Sequence, residues 1–284
     1  MLYLVHDPTV LKRVKDLVGE RQGHVVMGGV LDGLQAGRVY VDHPDILNSV
    51  FIWARHEMFY WIGDSNDSLF HRHVKQLLSE ELLPEALRVG EEMLNLEVLP
   101  THGGSWDSIL QVTFAGKLGE GYRVPFTFNQ MKFHHWLQQQ TCFNIPPQYQ
   151  VSVIDATLLE EDTSGVIQEE ILKFWYTVED FIRYGLGTCV MLEGEVVGTC
   201  LSVFVSDEHH EIGIHTYDVV HRGQGLATAL ATSYIQLCID RGCIPHWTTE
   251  DFRKDSIAIA HKLGFEQGEA YRMYYAPIQE LLRT

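Results

Sequence analysis

The feature that most restricts the fold of this chain is one uninterrupted run. A strand from Glu211 to Val219 passes into a glycine-rich turn, Arg222-Gly223-Gln224-Gly225, and then into an amphipathic helix that opens Leu226-Ala227-Thr228. Two closely spaced glycines between a strand and a helix allow positive φ and leave the backbone open to close approach. Successive N–H groups in such a turn converge on one point, and the helix N-terminus adds partial positive charge, so the turn suits a phosphate-like anion. Neither G-x-x-x-x-G-K-[ST] nor G-x-G-x-x-G is present, which sets aside the two commonest nucleotide loops.

The rest of the chain must supply a sheet around that turn. At 284 residues, and with roughly 150 residues per domain, two domains are expected. The best seam is Cys142 to Gln150, where Pro146-Pro147 holds an extended backbone. This divides the chain into an N-terminal α/β accessory domain, 1–145, and a second domain, 146–284. Before the seam, Leu11–Val18, Asp67–Leu78 and Glu80–Leu87 read as helices, and Gln130–Gln140 carries an aromatic face suited to docking on the second half. His24–Val30, Arg38–Val41, Ser49–Trp53 and Met58–Ile62 read as strands by their β-branched and aromatic content, and Asp107–Phe114 fits either state. After it, strands are expected at Val151–Thr157, Thr188–Leu192, Val196–Val205, Glu211–Val219, Ile244–Thr248 and Tyr271–Ala276. Helices are expected at Glu169–Tyr184, Gly225–Arg241 and Ser256–Leu263. The class is α/β with a mixed sheet.

Composition narrows the partners. The 21 Lys and Arg against 38 Asp and Glu leave a net charge of −17, which repels nucleic acid and favours cationic small molecules. The N-terminus has no basic leader followed by a long apolar stretch, and no apolar run reaches the roughly 20 residues that cross a bilayer. A cytoplasmic protein without membrane contact is the expectation. The five cysteines show no C-x-x-C spacing, and the histidine pairs lack the helical spacing of a zinc site, so no metal is expected.

Arg222-x-x-Gly225-x-Ala227 resembles the acetyl-CoA pyrophosphate loop, [QR]-x-x-G-x-[GA], of the GCN5-related N-acetyltransferase (GNAT) superfamily. Asp255 to Phe265, ending Lys262-Leu263-Gly264-Phe265, is similar to that superfamily's late helix, and the order of elements from Val151 to Ala276 follows its order. Phe174-Trp175, Glu179-Asp180-Phe181, Gly185-x-Gly187 and Pro245-His246-Trp247 resemble a narrower group, the acetyltransferases related to zwittermicin-resistance proteins.

The resemblance implies a GNAT fold and transfer of an acetyl group from acetyl-CoA to a primary amine of a small molecule. A binding-only acetyl-CoA sensor and a transferase using another acyl-CoA donor are the alternatives. Arg222, Gly223, Gln224, Gly225, Leu226, Ala227 and Thr228 would hold the diphosphate. Backbone groups of Tyr217 and Val219 would pair with the pantetheine arm.

A lysine-like amine with a pKa of about 10.4 is scarce in its neutral form near neutral pH, a deficit of about 4 kcal/mol, so a proton acceptor is needed. Glu211, eleven residues before Arg222, and His215, on the same strand face, are the candidates. The tyrosine that many family members carry four residues before the late-helix glycine is Ala260 here, which leaves the general acid unassigned, with Tyr271, Tyr274 and Tyr275 as the hydroxyls that the closing strand could return and Tyr274 the one taken as a catalytic candidate. Trp175 and Glu179 are the candidate acceptor contacts, in a segment that mixes aromatic faces with carboxylates suited to a cationic amine; the alternative is an amphipathic helix packed on the sheet, and packing is the favoured role of Trp175. The first domain is expected to shape the acceptor site or to form a homodimer interface.

Overall fold

The computed structural model describes residues 2–19, 24–102, 104–140 and 145–283. Cys142 to Asn144, part of the expected linker, lie outside the described residues. The chain forms two compact units, one made of Met1–Arg123 with Tyr271–Thr284 and the other of Val124–Ala270.

The first unit contains β1 (Tyr3–Leu4), α1 (Pro8–Val18), α2 (His24–Leu31), β2 (Gly37–Val41), β3 (Val50–Ala54), β4 (Met58–Gly63), α3 (Ser68–Leu77), α4 (Leu83–Arg88), β5 (Met93–Pro100) and α5 (Asp107–Phe114). The division between units falls within β6 (Gly119–Phe128). The second unit continues with α6 (Gln130–Gln139), β7 (Tyr149–Val153), α7 (Ala156–Glu161), α8 (Val166–Phe174), α9 (Val178–Tyr184), β8 (Gly187–Leu192), β9 (Glu195–Ser206), β10 (His209–Thr216), α10 (Leu226–Arg241), β11 (Ile244–Glu250), α11 (Lys254–Lys262) and β12 (Phe265–Gln267). The chain then returns to the first unit as β13 (Tyr271–Pro277) and α12 (Ile278–Leu282).

In the first unit the sheet order is β1-β2-β3-β4-β5-β13, antiparallel except for the parallel pair β4 and β5. Phe51, Trp53, Phe59 and Trp61 form its core with Phe70 and Val74 of α3 and Leu110 of α5. The strand expected at His24–Val30 is the helix α2, buried from Val25 to Leu31. An apolar run enclosed on every side carries no period that separates helix from strand.

In the second unit the order is β11-β10-β9-β8-β7, with β10 and β11 parallel and the other pairs antiparallel. Helix α10 packs Leu226, Leu230, Ala231, Tyr234, Ile235 and Cys238 against Val190 of β8, Cys200 of β9 and Ile212 of β10. The single helix expected over Glu169–Tyr184 is broken into α8 and α9, because the Thr177 side chain accepts the Asp180 N–H and starts a new helix.

The units do not follow the boundary expected at 145/146. Phe126 and Phe133 share one core with Trp247 and Phe265, so β6 beyond Arg123 and all of α6 belong to the second unit. Gly264 shows how close that packing is. Its φ is +88°, and a Cβ there would stand 2.6 Å from the Phe133 backbone nitrogen. The closing strand, expected in the second domain, pairs Tyr274 with Leu96 of β5 in the first unit.

Candidate active site

The second unit places a parting between two parallel strands beside the glycine turn. The strands β10 and β11 pair at His209↔Ile244, His210↔Pro245 and Glu211↔His246, and there the ladder ends, although both strands continue. Glu211 sits at that point, 3% exposed. Its Oε1 accepts the Thr248 N–H at 2.9 Å, and its Oε2 is bonded to Nδ1 of His246. A side-chain carboxylate thus satisfies a backbone donor that the ladder would otherwise have paired, and the strands diverge around it. On the other side of β10 the register slips between Glu211 and Ile212, a bulge that increases local twist.

Beyond the parting, the Tyr217 N–H donates to Val197 O of β9 at 3.1 Å. By strand alternation the neighbouring N–H groups of Thr216 and Asp218 then face the parted edge. The amide of Tyr217 itself, expected to meet a pantetheine arm, faces β9 instead. A short 3-10 turn at Val219–His221 follows, with Asp218 accepting the Val220 N–H at 3.0 Å. Val219 and Val220 stand 69% and 65% exposed.

The turn opens α10 as the sequence implies. Gly223 and Gly225 take φ of +74° and +81°, and a Cβ at Gly223 would meet nothing within 4 Å. Gly225 is the N-cap residue, and no side chain caps the helix. The first-turn amides of a helix have no partner within it, so Leu226, Ala227 and Thr228 begin α10 with donors available to an anion. Arg222 is exposed, and Gln224 Nε2 donates to Val220 O at 2.9 Å, which closes the turn on itself. His221 is tied back to β7 through the Tyr149 hydroxyl, 2.9 Å from its Nδ1. The residues present fit a diphosphate.

A second group of polar side chains gathers on the sheet face opposite α10. Ile212 and Ile214 point into the α10 core, so alternation turns His215 and Tyr217 the other way. Their rings meet edge to face at 5.0 Å. From α8, the mostly buried Glu170 brings Oε1 to 3.5 Å from Nδ1 of His215 and Oε2 to 2.5 Å from Nζ of Lys173. Burial pushes the Glu170 carboxyl up, but hydrogen bonds from His215 and Lys173 and their charges outweigh it and hold it below the usual range. Burial raises the Tyr217 phenol, against a hydrogen bond with Thr199 at 3.1 Å and with the help of the Glu170 charge, so it stays protonated at neutral pH. Glu170 was missed from the sequence, because on a continuous Glu169–Tyr184 helix nothing marks it as facing inward.

Three further expected site residues have these surroundings. Trp175 is 1% exposed, donates Nε1–H to Ser202 O at 2.8 Å and packs edge to face on Phe181 at 5.6 Å, which leaves no ring face for a substrate. Glu179 is exposed in the first turn of α9. Tyr274 belongs to the first unit, in β13 between Leu96 of β5 and Glu120 of β6. Among the described residues no group of three His, Cys, Asp or Glu is placed to hold a metal ion, and no helix is long and apolar enough to cross a membrane.

A GNAT acetyltransferase family model matches residues 15–274. The chain belongs to the GNAT acetyltransferase family. It is 27% identical over 249 residues to the uncharacterized N-acetyltransferase YdfB of Bacillus subtilis, covering 87% of this chain and 88% of that one. In fold it is similar to a GCN5-related N-acetyltransferase-like protein of Streptococcus suis, with TM-score 0.66, 23% identity and coverage of 94% and 98% of the two chains. It is also similar to a tandem GNAT protein from the clavulanic acid biosynthesis pathway, with TM-score 0.57, 14% identity and coverage of 98% and 99%. The likeness to this tandem GNAT protein over its full length fits a two-unit arrangement of the fold.

Proposed function

We propose that this protein is an acetyl-CoA-dependent N-acetyltransferase acting on a primary amine of a small molecule. The observation that carries the reading is the parting of β10 and β11 beyond Glu211↔His246, with an uncapped glycine turn and helix start at its open end. An extended arm with a diphosphate at one end and a thioester at the other matches a gap bordered by strand N–H groups and closed by an anion cradle.

Each part has a physical task. The amides from Gly223 to Thr228 and the start of α10 supply fixed positive potential to the diphosphate, and Arg222 adds a mobile charge beside it. Thr216 and Asp218 offer backbone donors along the parted edge, where an amide can polarise the thioester carbonyl. Glu211, with both carboxylate oxygens engaged, keeps the gap open as a positioning residue. The face with His215 and Tyr217 is the side from which the acceptor approaches. The net charge of −17 draws a cationic amine toward the protein and also favours its protonated form, so a proton acceptor is required.

The finer likeness to the zwittermicin-resistance group rests on a segment that acts in packing. A Cβ on Gly185 or Gly187 would come within 3.0 Å of the Phe181 ring, which itself packs on Trp175. That motif therefore supports a shared scaffold and leaves the acceptor's identity to experiment.

Calorimetry with acetyl-CoA followed by thiol release on an amine panel tests the proposal. One-to-one binding with thiol release supports it, and absence of binding overturns it. Binding without thiol release would make the protein a sensor, and release only with a longer acyl-CoA would change the donor.

A further inference from the structure

We propose that Glu170 and His215 form the proton-accepting pair of this transfer, with His215 as the catalytic group that takes the amine proton and Glu170 as the positioning residue that fixes its ring. This rests on the acetyltransferase reading above and assigns the base that the reading requires.

The two base candidates on β10 differ in what their polar atoms already do. Glu211 is 3% exposed, and its oxygens are bonded to Thr248 N–H and to His246, so a proton acceptor there would have to give up a bond that holds the strands apart. The His215 side chain is 51% exposed, while the carboxylate beside it is only 11% exposed. Such a pair has a direction. The buried carboxylate draws the Nδ1 proton, which leaves the Nε2 lone pair facing solvent on the acceptor side of the sheet. The separation of 3.5 Å is at the outer edge of hydrogen-bond reach, and catalytic hydrogen bonds commonly tighten when substrate arrives. Lys173, bonded to the other oxygen of Glu170, holds the carboxylate in place and keeps it ionised. Among the described residues, Glu170 and Lys173 from α8 and Tyr217 from its own strand surround the imidazole, and Asp162, which follows α7, and Cys189 of β8 act on Tyr217.

The reaction balances on this pair. Nε2 of His215 takes one proton from the acceptor ammonium, and the freed nitrogen lone pair forms the bond to the thioester carbonyl carbon. The carbon–sulfur bond then breaks with its electron pair on sulfur. The second amine proton ends on that thiolate, and the imidazolium returns its proton to solvent.

The test uses the full chain with Glu170→Gln and His215→Gln. Wild type and both variants are followed by calorimetry with acetyl-CoA, by thiol release with spermidine, glucosamine, phenylethylamine and the weakly basic trifluoroethylamine, and by nitrogen NMR of labelled histidine. His215→Gln is expected to lower kcat about 100-fold with strongly basic amines, and Glu170→Gln about 10-fold or more. KM for acetyl-CoA should be unchanged, and the loss should be much smaller with trifluoroethylamine, which is neutral at the assay pH. Neutral His215 in the wild type should carry its proton on Nδ1 and should lose that preference in Glu170→Gln. Equal losses with all four amines, an Nε2–H tautomer in the wild type, or variants as fast as wild type would each overturn the pair while leaving the acetyltransferase reading intact. Binding of acetyl-CoA without thiol release from any amine would overturn the pair as a catalytic device. Failure of wild type to bind acetyl-CoA would remove the reading itself, and the pair with it.

Discussion

The two units contain the same local sequence of events and differ in how it ends. In the first, β4 runs antiparallel to β3, turns through Asp64–Asp67 into α3 and returns as the parallel strand β5. In the second, β10 runs antiparallel to β9, turns through Arg222–Gly225 into α10 and returns as the parallel strand β11. In the first unit the helix start is capped by the chain itself, since Asp67 Oδ1 accepts the Phe70 N–H at 3.0 Å and Asp64 accepts the Asn66 N–H at 2.9 Å. In the second it is bare and glycine-lined. The ladder of β4 and β5 runs unbroken from Phe59↔Leu96 to Gly63↔Pro100, whereas that of β10 and β11 stops at Glu211↔His246.

Each parallel pair also buries one glutamate. Glu97, 2% exposed beside Tyr60, has no hydrogen-bond partner for either oxygen among the described residues, while both oxygens of Glu211 are engaged. One topology can therefore be sealed or opened by a handful of side chains. A carboxylate at a helix start repels an anion, and a bare glycine turn does not.

The largest expected effect breaks the comparison at the turn. Gly225→Trp puts a bulky side chain where φ is +81° and where, on the proposed function, the backbone would meet the diphosphate. Acetyl-CoA affinity measured by calorimetry should fall by about 100-fold or more, which is about 3 kcal/mol.

Next in size is Glu97→Gln. Burial, opposed only by the Arg123 charge, raises the Glu97 carboxyl to about 8. The unfolded chain surrenders that proton near 4.5, so this contribution to stability is complete below about pH 4.5, declines as pH rises, and is gone above about pH 8. The variant should lose that slope and gain roughly 3 kcal/mol near neutral pH, read from urea unfolding at pH 5 and pH 7. Acetyl-CoA binding should not change.

Glu211→Ala is the matching change in the second unit and should have the opposite sign. It leaves the Thr248 N–H and the His246 ring without their carboxylate, and should cost about 2 kcal/mol in urea unfolding. It should also weaken acetyl-CoA binding by letting the strands close. If instead binding is kept and turnover alone is lost, Glu211 acts in catalysis and not as a wedge. The smallest effect is expected from Asp67→Ala, which removes the cap of α3 at a cost of about 1 kcal/mol in thermal or urea unfolding and leaves acetyl-CoA binding untouched.

Much of the second unit was legible because its signals are local. The strand, the two glycines and the start of α10 are contiguous, and the apolar spacing of α10 needs no knowledge of its partners. The N-terminal half was harder to read. The strand β5 was missed because Glu97 interrupts the apolar pattern of Leu94, Leu96 and Leu99 and yet is buried with them. Trp175 takes the packing role and not that of a substrate contact, two roles hard to separate in sequence because an aromatic beside carboxylates looks the same whether its ring faces solvent or Phe181. The boundary at 145/146 failed because a Pro-Pro step reports local stiffness, and which core Phe133 joins is decided by a glycine 131 residues later in the chain.

The amino-acid sequence by itself determined the glycine turn at the start of α10, the alternation of strands and helices around it, and the acidic net charge. All of these follow from neighbours within a few positions or from composition. Tertiary structure alone decided that Glu211 meets His246 and Thr248, that Glu170 reaches His215, and that the closing strand joins the first unit. Those outcomes depend on which buried charges find partners when distant segments pack, and a buried charge is stable only in the arrangement that supplies them.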